Sequence, residues 1–200
     1  DELGQHNDAA SLMADLRSRH PRFTEAVLAD TVVTAQHRGE RYEFRSKGDA
    51  LLAALRLAWV SDAFLAQVLY RAKAAGQRRG IPVLPRLFHR LSMIFSQVTI
   101  GDPVVVHPGV YIVHGQVVLD GIVEIHPRVF ISPRVTKRLK AGNMLRPTLR
   151  EGASIGTGAK LIGPIDVGAG ANIGAGAVVV DDIPAGATAT GVPAQHAGKY

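Results

Sequence analysis

The sequence predicts an α+β protein in two parts, an α-helical domain over residues 1–97 and then a coil of short parallel strands over residues 98–196, with a short tail at 197–200. Three observations predict it. Leu149, Ile155, Leu161, Val167, Ile173 and Val179 recur every six residues, a period that neither the 3.6 of a helix nor the 2.0 of an ordinary strand produces. Small residues bracket them: Ala153, Ala159, Ala171 and Ala177 stand two places before an aliphatic, and Gly156, Gly168 and Gly174 one place after, as tight corners with close backbone approach require. Upstream of the coil, apolar residues fall at helical spacing instead.

A corner every six residues makes three hexads one turn of a triangular prism, each aliphatic pointing inward and stacking on the residue one turn away. The rhythm extends upstream through Ile100, Val106, Ile112 and Val118, takes one step of seven to Ile125, and continues to Ile131. Eighteen residues, or three hexads, separate Ile131 from Leu149. The register therefore survives the segment Lys137 to Pro147, which does not fit the pattern and is expected to project as a loop. Residues 98 to 185 then make between four and five turns, above the roughly three repeats a solenoid needs. A Gly/Ala/Val-rich linker would have no reason to hold aliphatics in step over such a length.

In the first half, Leu12 and Leu16, then Phe23, Val27 and Leu28 beyond the His20-Pro21 break, form helical stripes, and Leu51, Leu52, Leu55, Leu57 and Ala58 form another. Ser61 is expected to cap a helix that turns Phe64, Leu65, Val68, Leu69 and Ala72 to one face. Gly76, Gly80 and Pro82 punctuate the chain before a last helix, opened by Pro85. Its stripe of Leu84, Leu87, Phe88, Leu91, Ile94 and Phe95 is flanked by Arg86, His89 and Arg90. Two roles suit such a basic amphipathic helix, lying on a membrane surface or packing on its own domain or a partner subunit; the second is expected.

With 46% hydrophobic residues among 200, the chain has the material for a core. No run of eighteen apolar residues occurs, so no stable membrane insertion is expected. Asp1, Glu2, Asp8, Asp15 and Arg17 stand where a signal peptide would carry basic and apolar blocks, which points to a soluble, cytoplasmic protein. With no cysteine in the chain, disulfides, thiolate ligands and a thiol nucleophile are excluded together. The net charge of +6 is clustered: Arg71, Lys73, Arg78, Arg79, Arg86 and Arg90 form one acid-free run, and Arg128, Arg134, Lys137, Arg138, Lys140, Arg146 and Arg150 a second. Phe130 is the only aromatic in the second run, too little to stack bases, so no nucleic acid is expected. A small polyanion such as a nucleotide-bearing cofactor fits better. The first run is read as solvated faces whose counter-charges lie elsewhere in the fold.

The phrases "ISPRVT", "LRPTLREGASIGTGAKLIGPIDVGAGANIGAGAVVV" and "IPAGATATGVPA" resemble the hexapeptide-repeat acyltransferases, most specifically the serine O-acetyltransferases. "SDAFLAQVLYRAKAAGQRRGIPVLPRL" resembles the helices those enzymes place before the coil, so the likeness spans roughly residues 60 to 197. It implies a left-handed parallel β-helix, opposite in hand to ordinary parallel crossovers. It also implies a homotrimer, in some members a dimer of trimers, with active sites between neighbouring subunits. Acetyl-CoA is the implied co-substrate, lying along the groove between coils. Thr157, Gly158 and Ala175 would then neighbour the pantetheine arm, and Lys160 the phosphates.

Acetyl transfer from a thioester to an alcohol needs a base for the hydroxyl proton and donors for the oxyanion. In the family a histidine of the coil is that base, with no acyl-enzyme, and the matching residue is His114. Its position agrees, two places past the inward Ile112 and hence at an outward corner. His107 and His126, in the similar phrases "VHPGVYI" and "IHPRVFI", are read as corner residues. The gaps of seven and twelve among the three histidines do not match the zinc-dependent carbonic anhydrases of the same architecture, so no metal is expected.

Two departures from the family matter. Its substrate-holding histidine before a proline is Arg146 here, in "RPTLREG", and the aspartates it carries beside the base and about a turn earlier are Val113 and Thr99. A carboxylate is still wanted to fix the imidazole tautomer. Asp102, Asp120 and Glu124 are the candidates, Asp102 first because it follows the Ile100-Gly101 corner two hexads before His114. Arg146 and Glu124 are the candidate acceptor-binding residues, Arg146 as a bidentate grip on a carboxylate. The expected acceptor is a serine-like or other small hydroxylated molecule. The alternatives are a sugar or secondary-metabolite hydroxyl, and a catalytically silent scaffold. The ending "HAGKY" lacks the terminal isoleucine by which serine acetyltransferases recruit the next enzyme of cysteine synthesis, so that partner is not expected.

Overall fold

The structure, a computed structural model, describes residues 2–81, 83–138 and 148–197. Helices α1 (Glu2–Arg19), α2 (Phe23–His37), α3 (Lys47–Val60), α4 (Asp62–Arg78) and α5 (Leu84–Ser96) precede a parallel β-solenoid. Its first turn is β1 (Val98–Ile100), β2 (Val105–Val106) and β3 (Tyr111–Ile112), and its second is β4 (Val117–Leu119), β5 (Glu124–Ile125) and β6 (Phe130–Ile131). The third is β7 (Thr136–Arg138), β8 (Thr148–Leu149) and β9 (Ser154–Ile155), and the fourth β10 (Lys160–Ile162), β11 (Asp166–Val167) and β12 (Asn172–Ile173). β13 (Val178–Val179), β14 (Thr188–Gly191) and the antiparallel β15 (Ala194–Ala197) close the coil. Three sheets form the faces, in the orders β1-β4-β7-β10-β13, β2-β5-β8-β11 and β3-β6-β9-β12-β14-β15.

The registers account for each irregularity in the six-residue rhythm. Ser154 and Asn172, or Lys160 and Val178, are eighteen residues apart, and in the last turn Asn172 and Thr188 are sixteen apart. Between the first two turns, Val98 pairs with Val117, Val105 with Glu124 and Tyr111 with Phe130, each nineteen apart. The extra residue therefore lies between β3 and β4. The sequence reading placed it one edge later, after Val118. In the structure Val118 points outward at 39% exposure, and Val117 and Leu119 are the buried residues of β4. Glu124 and Thr148, or Thr136 and Lys160, are twenty-four apart, which puts six additional residues between β7 and β8. An insertion of one whole hexad preserves the count, which is why the rhythm survived it. Lys137 and Arg138 belong to β7, whereas the rest of the expected loop, residues 139–147, lies outside the described residues.

Inside the prism Val106, Ile125, Leu149 and Val167 stack along one face and Ile112, Ile131, Ile155 and Ile173 along another, all at 3% exposure or less. The corner residues behind them taper from Val110 and Val129 to Ala153 and Ala171 along the coil. The core is thus continuous and close-packed, turn on turn.

Such a coil leaves the outermost carbonyls of its first turn without a preceding turn to bond to, and an open sheet edge of that kind has to be covered. Helix α4 covers it. Gln67 Nε2 donates to Val110 O at 2.8 Å, the Tyr70 hydroxyl to Val104 O at 2.6 Å and Lys73 Nζ to Ile100 O at 2.6 Å. The Arg71 guanidinium donates to Val106 O and to His107 O. Of the expected apolar face of this helix Phe64 is buried, whereas Leu65, Val68, Leu69 and Ala72 are accordingly only partly buried. The buried face is Ala63, Phe64, Ala66, Gln67, Tyr70, Arg71, Lys73 and Ala74. Ser61 does cap it, accepting from the Phe64 N–H. Arg71 and Lys73, read as solvated, are 3% and 2% exposed. Their counter-charges are Asp30 of α2 and Asp102 of the first corner.

Helices α3 and α5 bury mostly small residues and turn most of their large ones out. α3 packs Ala50, Ala54 and Leu57 inward and leaves Leu51, Leu52, Leu55 and Trp59 exposed. α5 buries Pro85, Ser92 and Ser96, while Leu84, Leu87, Ile94 and Phe95 face outward. Phe88 and Leu91 of the expected stripe are half-buried, whereas its outer part does not pack on its own domain, one of the two packings expected for this helix. Close contact with α4, where a Cβ on Gly76 would sit 3.3 Å from the Pro85 ring, instead selects the small side of the helix. Among the described residues no single helix is long and apolar enough to cross a membrane.

His20, between α1 and α2, is 4% exposed, and its Nδ1 lies 3.3 Å from the Tyr70 hydroxyl. Burial first, and then the charges of Arg71, Lys73 and Arg78, lower its pKa from 6.5 to about 4, against a smaller upward pull from Asp102. The unfolded chain therefore takes up this proton at a higher pH than the folded one does. The contribution of a neutral His20 to stability is complete above about pH 6.5 and is lost as the pH falls toward 4, by about 3 kcal/mol in all. Melting temperature measured between pH 6.5 and 4.5 should fall more steeply for the native chain than for His20→Gln. Equal slopes would refute this assignment.

Candidate active site

The edge between the β3 and β4 faces carries one corner per turn. Ser132-Pro133-Arg134, Gly156-Thr157-Gly158 and Gly174-Ala175-Gly176 each use three residues, and Val113-His114-Gly115-Gln116 uses four. The inserted residue bulges the corner outward, and His114 at its apex has 68% of its side chain exposed. Gly115 is fixed here by space: a Cβ would lie 2.0 Å from Ser96 O and 3.0 Å from the Asp62 carboxylate. The Gly115 N–H donates to Asp62 Oδ2 at 3.0 Å. The other oxygen, Oδ1, is 3.7 Å from His114 Nδ1. That distance exceeds a hydrogen bond.

Asp62 occupies the first turn of α4, where a carboxylate complements the helix dipole. The chain reaches the histidine corner a second time at the end of α5. Gln97 ends that helix in the left-handed conformation, with φ of 52°, and its carbonyl accepts from the Gln116 N–H at 3.1 Å. Arg134 Nε donates to Gln116 Oε1 at 3.0 Å. Together Asp62, Phe95, Gln97, His114, Gln116 and Pro133 line an open cleft of about 300 Å³. One wall is apolar, through the exposed Phe95, and the other carries the imidazole with a carboxylate behind it.

The other sequence candidates divide by edge. Asp102 belongs to the corner between β1 and β2, on a different edge from His114, and is held 3.0 Å from Lys73 Nζ. Burial would raise its pKa, but the hydrogen bond and charge of Lys73, with Gln77 and His89, hold it below the usual carboxylate range. It is a partner for α4, and the carboxylate beside His114 is Asp62. The candidates Asp102, Asp120 and Glu124 all belong to the coil, whereas Asp62 arrives from a helix fifty-two positions before His114. Glu124 is outside the cleft: its Oε1 is 2.8 Å from His107 Nε2, and its Oε2 is 3.5 Å from Arg19 Nη1. Burial raises this group too, but the His107 hydrogen bond and the charges of His107, His126 and Arg19 leave it below the ordinary glutamate value. Arg146 lies outside the described residues.

Thr157, Gly158 and Ala175 fall on the same edge as His114, at the corners two and three turns along, with Lys160 exposed on the adjoining strand. With turns about 4.8 Å apart, these corners lie about 10 to 15 Å from the imidazole level. They are lined by backbone and small side chains. A Cβ on Gly156 would be 2.7 Å from Ala175 N, so the turns approach as closely as this edge allows.

A helical cap over a triangular parallel coil, with a histidine bulged from one corner ridge, has the fold of the hexapeptide-repeat acyltransferases. Solved structures of this fold that resemble the chain include serine acetyltransferases. The chain is 23% identical to that of Neisseria gonorrhoeae in complex with serine, covering 92% of this chain and 73% of that one at a TM-score of 0.73. Against soybean serine acetyltransferase complexed with serine the identity is 27%, with coverage of 94% and 74% and a TM-score of 0.71. A serine acetyltransferase in complex with CoA gives 23%, 94% and 74%, and 0.73. Neither a family model nor a curated protein matches the sequence.

Proposed function

We propose that the protein is an acetyl-CoA-dependent O-acetyltransferase acting on a small hydroxylated acceptor, with His114 as general base. The observation that carries this reading is the inserted, exposed His114 with Asp62 behind its Nδ1, at the head of a ridge of small corners. Nε2 is the free nitrogen in this arrangement. It accepts the acceptor hydroxyl proton as that oxygen attacks the thioester carbonyl. The tetrahedral oxyanion then collapses, the C–S bond breaks, and the imidazolium returns the proton to the departing thiolate. Asp62 stabilises the imidazolium between these two steps.

The coenzyme follows the ridge past Thr157, Gly158 and Ala175, and Lys160 meets its phosphates. The complex of a structural neighbour with CoA supports this placement. A homotrimer, with a neighbouring subunit closing the open side of the cleft, completes the site. The acceptor is serine-like or another small alcohol: two neighbours are complexed with serine, whereas Val113, Thr99 and Arg146 stand here in place of the serine-holding residues that the family resemblance implies. Thiol release from acetyl-CoA over a panel of hydroxy amino acids and sugars tests the proposal. Acceptor-dependent release is expected for at least one member, and none with any of them would refute it.

A further inference from the structure

A second cluster of chemistry-bearing side chains lies on another edge of the coil and takes no part in the reaction above. Val106 pairs with Ile125 in register, so His107 and His126, which follow them, are neighbours on adjacent turns. Their rings stack at 5.0 Å between centroids, 20° from parallel. Glu124 projects from the start of β5 on the same side and meets His107 Nε2 at 2.8 Å. One ligating atom from each of the three residues lies within 4.8 Å of the others, and all three are partly buried.

We propose that His107, Glu124 and His126 bind a divalent transition metal of the zinc type. Two imidazoles and a carboxylate are a zinc donor set, and with metal–ligand distances of about 2.0–2.2 Å a tetrahedral site separates its ligand atoms by roughly 3.4 Å. Small side-chain rotations from the observed positions reach that spacing. Imidazole donors disfavour magnesium and calcium. Glu124 keeps Oε1 toward the histidines, and Arg19 holds Oε2 from behind, the outer-shell arrangement that orients a ligating carboxylate. Three protein ligands leave a fourth position for water or an exogenous donor.

The same two ladder positions recur further along the coil, where Arg150 grips Asp166 with contacts of 2.6 to 3.0 Å. A cross-turn ion pair needs only one cation and one carboxylate. The stacked second imidazole of His126 is surplus to that role and completes a ligand set. The histidine gaps of seven and twelve, from which no metal is expected, include His114, which lies on another edge. One turn of coil brings His107 and His126 together and supplies Glu124 instead.

Equilibrium dialysis of the metal-stripped full chain against Zn²⁺, with elemental analysis, tests the site. One zinc per chain is expected, with a dissociation constant on the order of micromolar or tighter, and no uptake of Mg²⁺ at the same concentration. Glu124→Gln keeps the shape of the side chain and should weaken zinc by at least about tenfold, as should His107→Gln and His126→Gln. His114→Ala should bind zinc as the native chain does. X-ray absorption of the zinc-loaded native chain needs no variant and should show two imidazoles with a carboxylate oxygen. Absence of zinc binding by the folded native chain, or zinc binding at native affinity by Glu124→Gln, His107→Gln and His126→Gln, would overturn the assignment.

Discussion

His114→Ala is expected to lower kcat by on the order of 10²- to 10⁴-fold, the range for loss of a general base, while the affinity for acetyl-CoA stays within a few-fold. The separation follows from geometry: the proposed coenzyme contacts lie two and three turns along the ridge from the imidazole. His114 is also largely exposed, so its removal should not shift the melting temperature appreciably. Asp62→Asn is expected to cost less than His114→Ala. The amide oxygen can still accept from the Gly115 N–H, but it no longer supplies a negative charge to the imidazolium. Steady-state kinetics with the best acceptor, together with CoA binding measured directly, checks both. A His114→Ala enzyme within about threefold of native turnover would remove this residue from the mechanism, and a matched loss of CoA affinity would make its role structural.

The solenoid could be read from the sequence because its rule is local. One inward aliphatic and one tight corner per hexad leave the same mark wherever the coil runs, and even the inserted hexad between β7 and β8 kept the count. The single extra residue was harder to place. Val117, Val118 and Leu119 are all aliphatic, so pattern alone cannot tell which of them point inward, and the shift surfaced only in the pairing of Val98 with Val117. The exposed corner at His114 was legible for the same local reason. Its carboxylate was not, since Asp62 depends on where α4 docks, and nothing in the six-residue period reports on a helix outside it. The polar face of α4 was missed on similar grounds. Gln67, Tyr70, Arg71 and Lys73 look like a solvated stripe until the unpaired carbonyls of the first turn are placed beneath them. His107 and Glu124 are seventeen residues apart in the chain and 2.8 Å apart in space, a proximity that only the nineteen-residue turn explains.

Arg71→Met is expected to destabilise the fold by about 3–5 kcal/mol, the cost of stranding one member of a buried ion pair. Arg71 and Asp30 are 3% and 1% exposed, and two contacts join them, at 2.9 and 3.3 Å. The remaining guanidinium donors cap Val106 O and His107 O, and Asp30 Oδ1 also accepts from the Gly109 N–H at 2.9 Å. The substitution therefore leaves a buried carboxylate without its cation and two first-turn carbonyls without donors, each costly in a dry interface. Asp30→Asn should be milder, because its oxygen keeps the Gly109 bond and Arg71 keeps both carbonyls. The double variant should cost less than the two single variants summed, by about 0.5–3 kcal/mol, since removing both charges removes the penalty of stranding either. Urea unfolding at a fixed protein concentration, where subunit association does not vary between samples, supplies the numbers. An Arg71→Met protein within about 1 kcal/mol of native, or costs that simply add, would mean that the helical cap is held to the coil by its apolar contacts and not by this polar clasp.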